Sequence, residues 1–239
     1  MKPIQQAKYL ELLSVLGIGG AHPGGLSLTT EIFKHENIND TSHVLDVGCG
    51  TGQTAAYLTH TFGAKVTALD INKTMLEKAK YRMATHDLHV NFVEGSIEDT
   101  AFADQSFDFI LSESVLSFVN KPRALSEIYR LLKMDGRFIA IEQTMNEELA
   151  DEDAKHIMHF YGFDSILMEH DWVALLREAG FEAIEIQLHE TVESEPDFHY
   201  SSEIDPALYE VMKTHLEIMV KYQGIIGYRV YVCGKWFYI

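Results

Sequence analysis

The 239-residue chain is predicted to be an α/β protein: a doubly wound seven-stranded sheet, mostly parallel with an antiparallel last strand, plus helical lid segments. Three observations point there. Short apolar runs alternate with segments whose apolar residues recur at helical spacing, the pattern of a parallel sheet covered on both faces. The first run breaks off at an acid and three alternating glycines, Val44-Leu45-Asp46-Val47-Gly48-Cys49-Gly50-Thr51-Gly52. The second, Val66 to Leu69, ends on Asp70.

The elements follow in order. A helix is expected over 4–16, then the turn Gly19-Gly20-Ala21-His22-Pro23-Gly24-Gly25. Strands are expected at 43–47, 65–69, 89–93, 107–112 and 137–142, separated by helical stretches at 51–61, 73–85 and 122–132. Met75, Leu76, Ala79 and Met83 make one apolar stripe, and Leu125, Ile128, Leu131 and Leu132 another. Asn120, two residues before Pro122, starts the last of these helices, and Asp135-Gly136 turns the chain out of it. An acidic helix near 147–161 fills an insert at 143–168. A helix over 170–179 stops at Gly180, and an alternating strand spans 181–188. A polar connection, a helix from 206 to about 222 and a strand at 228–233 complete the chain. The organisation is one domain: a helical cap (1–41), a core (42–142), the insert (143–168) and a C-terminal part (169–239) with a helical lid at 191–226.

Composition narrows the function. The 36 acidic against 19 basic residues give a formal charge of −17, which repels phosphate backbones and disfavours a nucleic-acid partner. No stretch approaches the ~20 apolar residues of a membrane helix, and Met1 to Gln6 lacks the pattern of a secretory signal. Two cysteines make no disulfide framework, so a reducing cytoplasm is the expected setting. Small molecules are the expected partners. The tail Trp236-Phe237-Tyr238 reads as core or dimer contact, which leaves a homodimer open.

The chemistry concentrates at the glycine turn. A buried strand that hands over to a helix through glycines brings bare backbone N–H groups close to a ligand. An acid some twenty residues on, at the tip of the next strand, is placed to hold a ribose diol. Together they describe a nucleoside pocket at the carboxyl edge of a parallel sheet. The glycines run G-x-G-x-G rather than the G-x-G-x-x-G of nicotinamide-dinucleotide enzymes, which argues against an oxidoreductase.

The turn is one of six ordered signals. The others are ALDIN at 68–72, VEGSIED at 93–99, SFDFILSESVLSFV at 106–119, LLKMDGRF at 131–138 and WVALLREAGF at 172–181. Over roughly 42–188 the chain resembles the class I S-adenosylmethionine-dependent methyltransferases of small molecules, whose fold is Rossmann-like. The resemblance implies S-adenosylmethionine as cofactor, S-adenosylhomocysteine as product and a small-molecule methyl acceptor. It implies that Gly48, Gly50 and Gly52 let the backbone approach the methionine part, with N–H groups offered by Cys49 and Thr51. Asp46 would face the positive end of the ligand, or else fix the turn. Asp70 would hold both ribose hydroxyls, and Ile71 would pack on adenine. Ser96 and Ile97 match the adenine-edge position, where the family commonly has an aspartate. Ser112 and Glu113 fall where the family lines the transfer centre. Glu113 would bind the ammonium or orient the acceptor, or else stand as a surface acid.

Transfer from a sulfonium needs alignment and a dry cavity more than it needs a catalytic group, and no triad is visible. Among candidate bases His22 comes first, since histidine accepts a proton near neutral pH, against the reading of an incidental turn residue. His159 and Tyr161 come behind it. His156 and His159 read as solvated side chains rather than metal ligands, and no metal is expected. A non-catalytic protein that binds S-adenosylmethionine as a sensor or partner module is the alternative.

Overall fold

The computed structural model describes residues 4–189, 197–198 and 205–236. Most of the polar connection that begins at 191, and Phe237 and Tyr238 of the tail, lie outside the described residues. The cap holds α1 (Ile4–Leu16), β1 (Ile18–Gly19) and α2 (Gly25–Phe33). Then β2 (His43–Val47), α3 (Gln53–Phe62), β3 (Lys65–Asp70), α4 (Lys73–His86) and β4 (Asn91–Glu94) alternate. They are followed by β5 (Phe107–Glu113), a single tight turn at Leu116–Phe118, α5 (Lys121–Leu131) and β6 (Leu132–Met145). The chain continues through α6 (Asp151–Tyr161), α7 (Glu169–Glu178), β7 (Ala183–Gln187), β8 (Asp197–Phe198), α8 (Pro206–Lys221) and β9 (Ile226–Gly234).

Seven strands form one sheet in the order β4-β3-β2-β5-β6-β9-β7. The strands from β4 to β6 are parallel, and β9 runs antiparallel to both its neighbours. The doubly wound sheet with an antiparallel last strand is therefore as the sequence predicts. The order of strand addition reverses at β2, with β3 and β4 on one side and β5 and β6 on the other, and ligands of open α/β sheets bind outside the carboxyl ends of strands at such a point.

Strand alternation builds both faces. Val44 and Asp46 point one way along β2, Leu45 and Val47 the other. Val44 joins Leu58, Leu76 and Met83 in the core beneath α3 and α4. Leu45 and Val47 join Ile128, Leu131, Trp172 and Leu176 beneath α5 and α7. Each such side chain, fully buried, contributes about 1.5–3 kcal/mol. Asn72 caps α4 by accepting from Thr74 N and Met75 N, and Asn120 caps α5 by accepting from Arg123 N.

Five elements differ from expectation. α2 and the antiparallel β1–β8 ribbon are absent from the prediction, because a nine-residue helix and two-residue strands carry little periodic signal. β6 begins at Leu132 rather than 137. The register moves from Phe107↔Leu132 to Phe109↔Arg137, so Asp135-Gly136 sits in a bulge within the strand rather than in a turn before it. A Cβ on Gly136 would stand 2.9 Å from Asp108 O, which explains the glycine. The far end of β6 also takes residues 143–145 from the expected insert, and α6 starts at Asp151.

Candidate active site

A cavity of about 260 Å³ opens at the carboxyl ends of β2, β3 and β5. His22, Asp46, Gly48, Cys49, Gly50, Thr51, Asp70, Ile71, Ser96, Ile97 and Glu113 all line it. Gly52 is the one predicted site residue set back from the wall. It has φ +74°, and a Cβ there would meet Ala79 Cβ at 2.9 Å, so its part is to seat α3 against α4.

The turn works through its glycines. Gly48 and Gly50 have φ of +65° and +53°, a region that L side chains rarely adopt. A Cβ on Gly48 would stand 2.4 Å from Val115 Cγ2, whereas one on Gly50 would meet nothing within 4 Å. Gly50 therefore presents bare backbone to open space. The N–H groups of Gly48 and Cys49 both donate to Leu69 O, at 2.7 and 3.1 Å. The expected offer of the Cys49 N–H to a ligand is thus corrected: that group ties the turn to β3. Burial pushes the Cys49 thiol up, so the side chain is an inert wall rather than a nucleophile.

Asp70 ends β3 with both oxygens anchored. Oδ2 accepts from Gly50 N and Oδ1 from Asn72 N, each at 2.8 Å. An ionised carboxylate has about four acceptor positions, so capacity remains beyond these backbone bonds. Burial raises its pKa, against the backbone bonds from Asn72, Gly50 and Ile71. Ile71 beside it is 68% exposed, a large apolar face at the mouth of the cavity. Ser96 Oγ accepts from Glu98 N at 3.2 Å, which shapes the loop after β4, while Ile97 is buried beneath it.

Asp46, at the end of β2, is 2% exposed. Its Oδ2 has no hydrogen-bond partner among the described residues. Burial first, then the charges of Glu113 and Asp70, hold its carboxyl well above the usual carboxylate range, and a backbone bond from Ala55 works the other way. A buried carboxylate oxygen without a donor is costly unless a cation or donor completes it.

Glu113, at the end of β5, is not a surface acid: its side chain is only 10% exposed. Oε1 accepts from Thr29 Oγ1 and Oε2 from Thr54 Oγ1, the latter at 2.7 Å. His22 Nε2 lies 3.5 Å from Oε1, and Nδ1 stands 3.1 Å from Pro23 O. Nε2 also stands 3.5 Å from Thr29 Oγ1, so the ring is held between the carboxylate, a hydroxyl and a carbonyl. The weaker base candidates stand elsewhere. His159 is exposed on α6, as is His156 beside it, and Tyr161 bonds His215 Nδ1 at 2.9 Å within an aromatic cluster that includes Tyr9.

Sequence reasoning missed Thr29, Thr54 and Glu142. Glu142 on β6 is fully buried; its Oε1 accepts from Ser112 Oγ, Val115 N and Leu116 N, and its Oε2 has no partner among the described residues. Burial pushes its pKa up to about 7. It fixes the turn that carries Val115 and Phe118 to the cavity wall. An acid directly after the apolar run Phe138-Ile139-Ala140-Ile141, still within the strand, was the available signal.

Fold and cavity define a Rossmann-like α/β protein with an acidic pocket at the switch point of its sheet. A family model described as a methyltransferase domain matches residues 45–140. YodH of Bacillus subtilis (strain 168), an uncharacterized methyltransferase, is 39% identical over 233 residues, 96% of this chain and 100% of its own. Haemonchus contortus phosphoethanolamine N-methyltransferase 2 has been solved with phosphomonomethylethanolamine and S-adenosylhomocysteine. It matches with a TM-score of 0.76 at 16% identity, over 96% of this chain and 56% of that one. Geranyl diphosphate C-methyltransferase from Streptomyces coelicolor A3(2) matches with a TM-score of 0.67 at 14% identity, over 89% of this chain and 79% of that one. The chain belongs to the methyltransferase family. No helix among the described residues is long and apolar enough to cross a membrane.

Proposed function

We propose that this methyltransferase uses S-adenosylmethionine and acts on a small-molecule acceptor. The observation that carries the reading is the Asp46 carboxylate, withdrawn from water at the edge of the cavity with one oxygen unpartnered. An arriving cation completes it, and S-adenosylmethionine brings an ammonium and a sulfonium. The other residues fit the same molecule. Gly50 leaves room for close approach of the backbone, and Asp70 keeps acceptor positions for a ribose diol. When bound, S-adenosylmethionine supplies a methyl group on a sulfonium, which an acceptor takes by in-line displacement.

The chain's own residues bind, orient and exclude water. Asp46 and Glu113 are the acids at the reacting end, and the arriving positive charge stabilises the ionised form of Asp46. His22 Nε2 receives the proton of an acceptor that must lose one, and Glu113 steadies the resulting imidazolium from 3.5 Å. Thr29 and Thr54 keep Glu113 in place as a hydrogen-bond acceptor. The cap, through Leu10, Leu13 and Ile18, closes the cavity from above, and α6 of the insert and α8 pack behind α1 to support it. Thermal melts with S-adenosylhomocysteine and with NAD test the reading. Saturation at 100 times Kd adds about 2.7 kcal/mol of stability, expected for S-adenosylhomocysteine and not for NAD. A melt unmoved by millimolar S-adenosylhomocysteine contradicts the proposal.

A further inference from the structure

Helix α8 is apolar on two opposite faces. Inward, Leu208 joins Leu12 and Leu16 of α1, and Ile218 joins Ile157, Phe160 and Tyr161 of α6. Outward, Tyr209, Leu216 and Val220 are 62, 55 and 75% exposed, with Met219 beside them. Of the nine large apolar side chains exposed among the described residues, these are four. Their helical spacing puts them on one stripe, which half-buried Met212 continues. A helix apolar all round is normally a covered one, and a contiguous exposed stripe marks an interaction surface where a lone apolar residue would not.

The charges on α8 say what covers it. Between Pro206 and Lys221 they are Glu210, Lys213, Glu217 and Lys221, so the helix is neutral in a chain of formal charge −17. Two copies therefore meet here without the repulsion that the acidic excess imposes elsewhere. At helical spacing all four charges fall on one flank of the stripe, in the order minus, plus, minus, plus. Read from the other end, the order is plus, minus, plus, minus. A two-fold axis across the helix sets this flank against the same flank of a second copy running the opposite way. In a parallel pair the charged flanks would lie on opposite sides of the interface and never meet.

We propose that two copies of the chain associate through this face, α8 antiparallel to α8, about a two-fold axis near His215 and Leu216. One register satisfies the apolar and the charged residues together. Leu216 meets Leu216 of the second copy, Met212 meets Met219, and Tyr209 meets Val220. On the flank, Lys213 faces Glu217 and Glu210 faces Lys221. Within one chain Lys213 Nζ lies 4.0 Å from Glu217 Oε1, whereas Lys221 Nζ bonds Asp153 Oδ1 at 2.9 Å. The central pair therefore exchanges partners more readily than the outer one. The stripe supplies the affinity and the flank the register. Sixteen residues span only ~24 Å, short of the ~800 Å² per partner of a standard interface. Association is accordingly weak, with a Kd on the order of 10 µM. Because α8 packs on α1, whose Leu10 and Leu13 line the cavity, each copy braces the lid of the other.

The test is sedimentation equilibrium of the full chain from about 1 to about 200 µM, without S-adenosylhomocysteine, so the outcome is independent of the methyltransferase reading. The mass is expected to rise from 27.1 kDa toward twice that value. Leu216→Glu is expected to stay monomeric throughout, with an unchanged melting temperature because the side chain is exposed. Lys213→Glu and Glu217→Lys each set like charges across the axis, and each alone should weaken association at least tenfold. Mixed in equal amounts they complement one another and should recover it. If Leu216→Glu melts early, this mixing experiment decides by itself. A wild type that stays at 27.1 kDa overturns the proposal, since the stripe is then covered by another segment or another partner. A dimer that a folded Leu216→Glu leaves intact overturns it too, as does a mixture that associates no better than its two components.

Discussion

The two halves of the cavity are built by different means. The half along the sheet edge is made by backbone and by residues close in sequence: the turn at 46–52, Asp70 with Asn72, and the loop at 95–98. The half under the lid is made by side chains from distant elements, with Leu10 and Leu13 of α1 facing Phe118 and Val119 after β5. Behind them Tyr9 packs on Phe118 and on Tyr161 of α6, and Tyr161 bonds His215 of α8. Local backbone geometry admits few substitutions, so the first half suits a constant ligand. Long-range packing tolerates repacking when volume is kept, so the second half is where acceptor choice can vary.

The sharpest way to break this division is Gly48→Ala. It forces a side chain into positive φ and against Val115, at a cost of about 3–4 kcal/mol. Urea denaturation should record that loss, and S-adenosylhomocysteine binding should vanish with it. Unchanged stability would mean that the turn is not the rigid half. Asp70→Ala comes next. It removes the diol-facing carboxylate and strands the Gly50 and Asn72 N–H groups, so affinity should fall about 100-fold, ~2.7 kcal/mol. A change within about twofold by calorimetry would refute its assignment.

Glu142 joins the halves, and its effect is set by pH. Its folded pKa is raised from 4.5 to about 7. Between those values the folded protein keeps a proton that the unfolded chain has lost, so stability falls as pH rises through that window. Glu142→Gln, which keeps an acceptor for Ser112, Val115 and Leu116, should remove the fall. It should melt above the wild type by about 2 kcal/mol of stability at pH 7.5 and match it at pH 5. Parallel curves would place the proton elsewhere. The smallest effect belongs to the lid. Phe118→Ala should raise the acceptor KM about tenfold, ~1.4 kcal/mol, while S-adenosylhomocysteine affinity stays within about threefold. Equal losses of both would merge the two halves into one.

The same contrast explains what could be read from the sequence. The glycine turn, Asp70 and the alternation of β2 to β6 are local, and their spacing carried the fold and most of the candidate cofactor residues. The positions of Asp46 and Glu113 at the sheet edge were legible too, as strand ends. What Glu113 touches was not: Thr29 comes from the short helix α2, and its approach to β5 depends on tertiary packing. The role of Glu142 was hidden for a related reason, since its partners lie on a neighbouring strand and the turn beyond it. The Asp135-Gly136 bulge reads from sequence as an ordinary turn because only pairing with β5 distinguishes the two.

The central claim is that Asp46 is a buried, unpartnered carboxyl whose charged form is completed by a positive ligand. It is tested most directly by calorimetric affinities of wild type and Asp46→Asn for S-adenosylmethionine and for methylthioadenosine, its neutral nucleoside part. The account predicts at least a tenfold loss for S-adenosylmethionine, ~1.4 kcal/mol, and a change within about threefold for methylthioadenosine. Equal changes for the two ligands, or none for either, would contradict it.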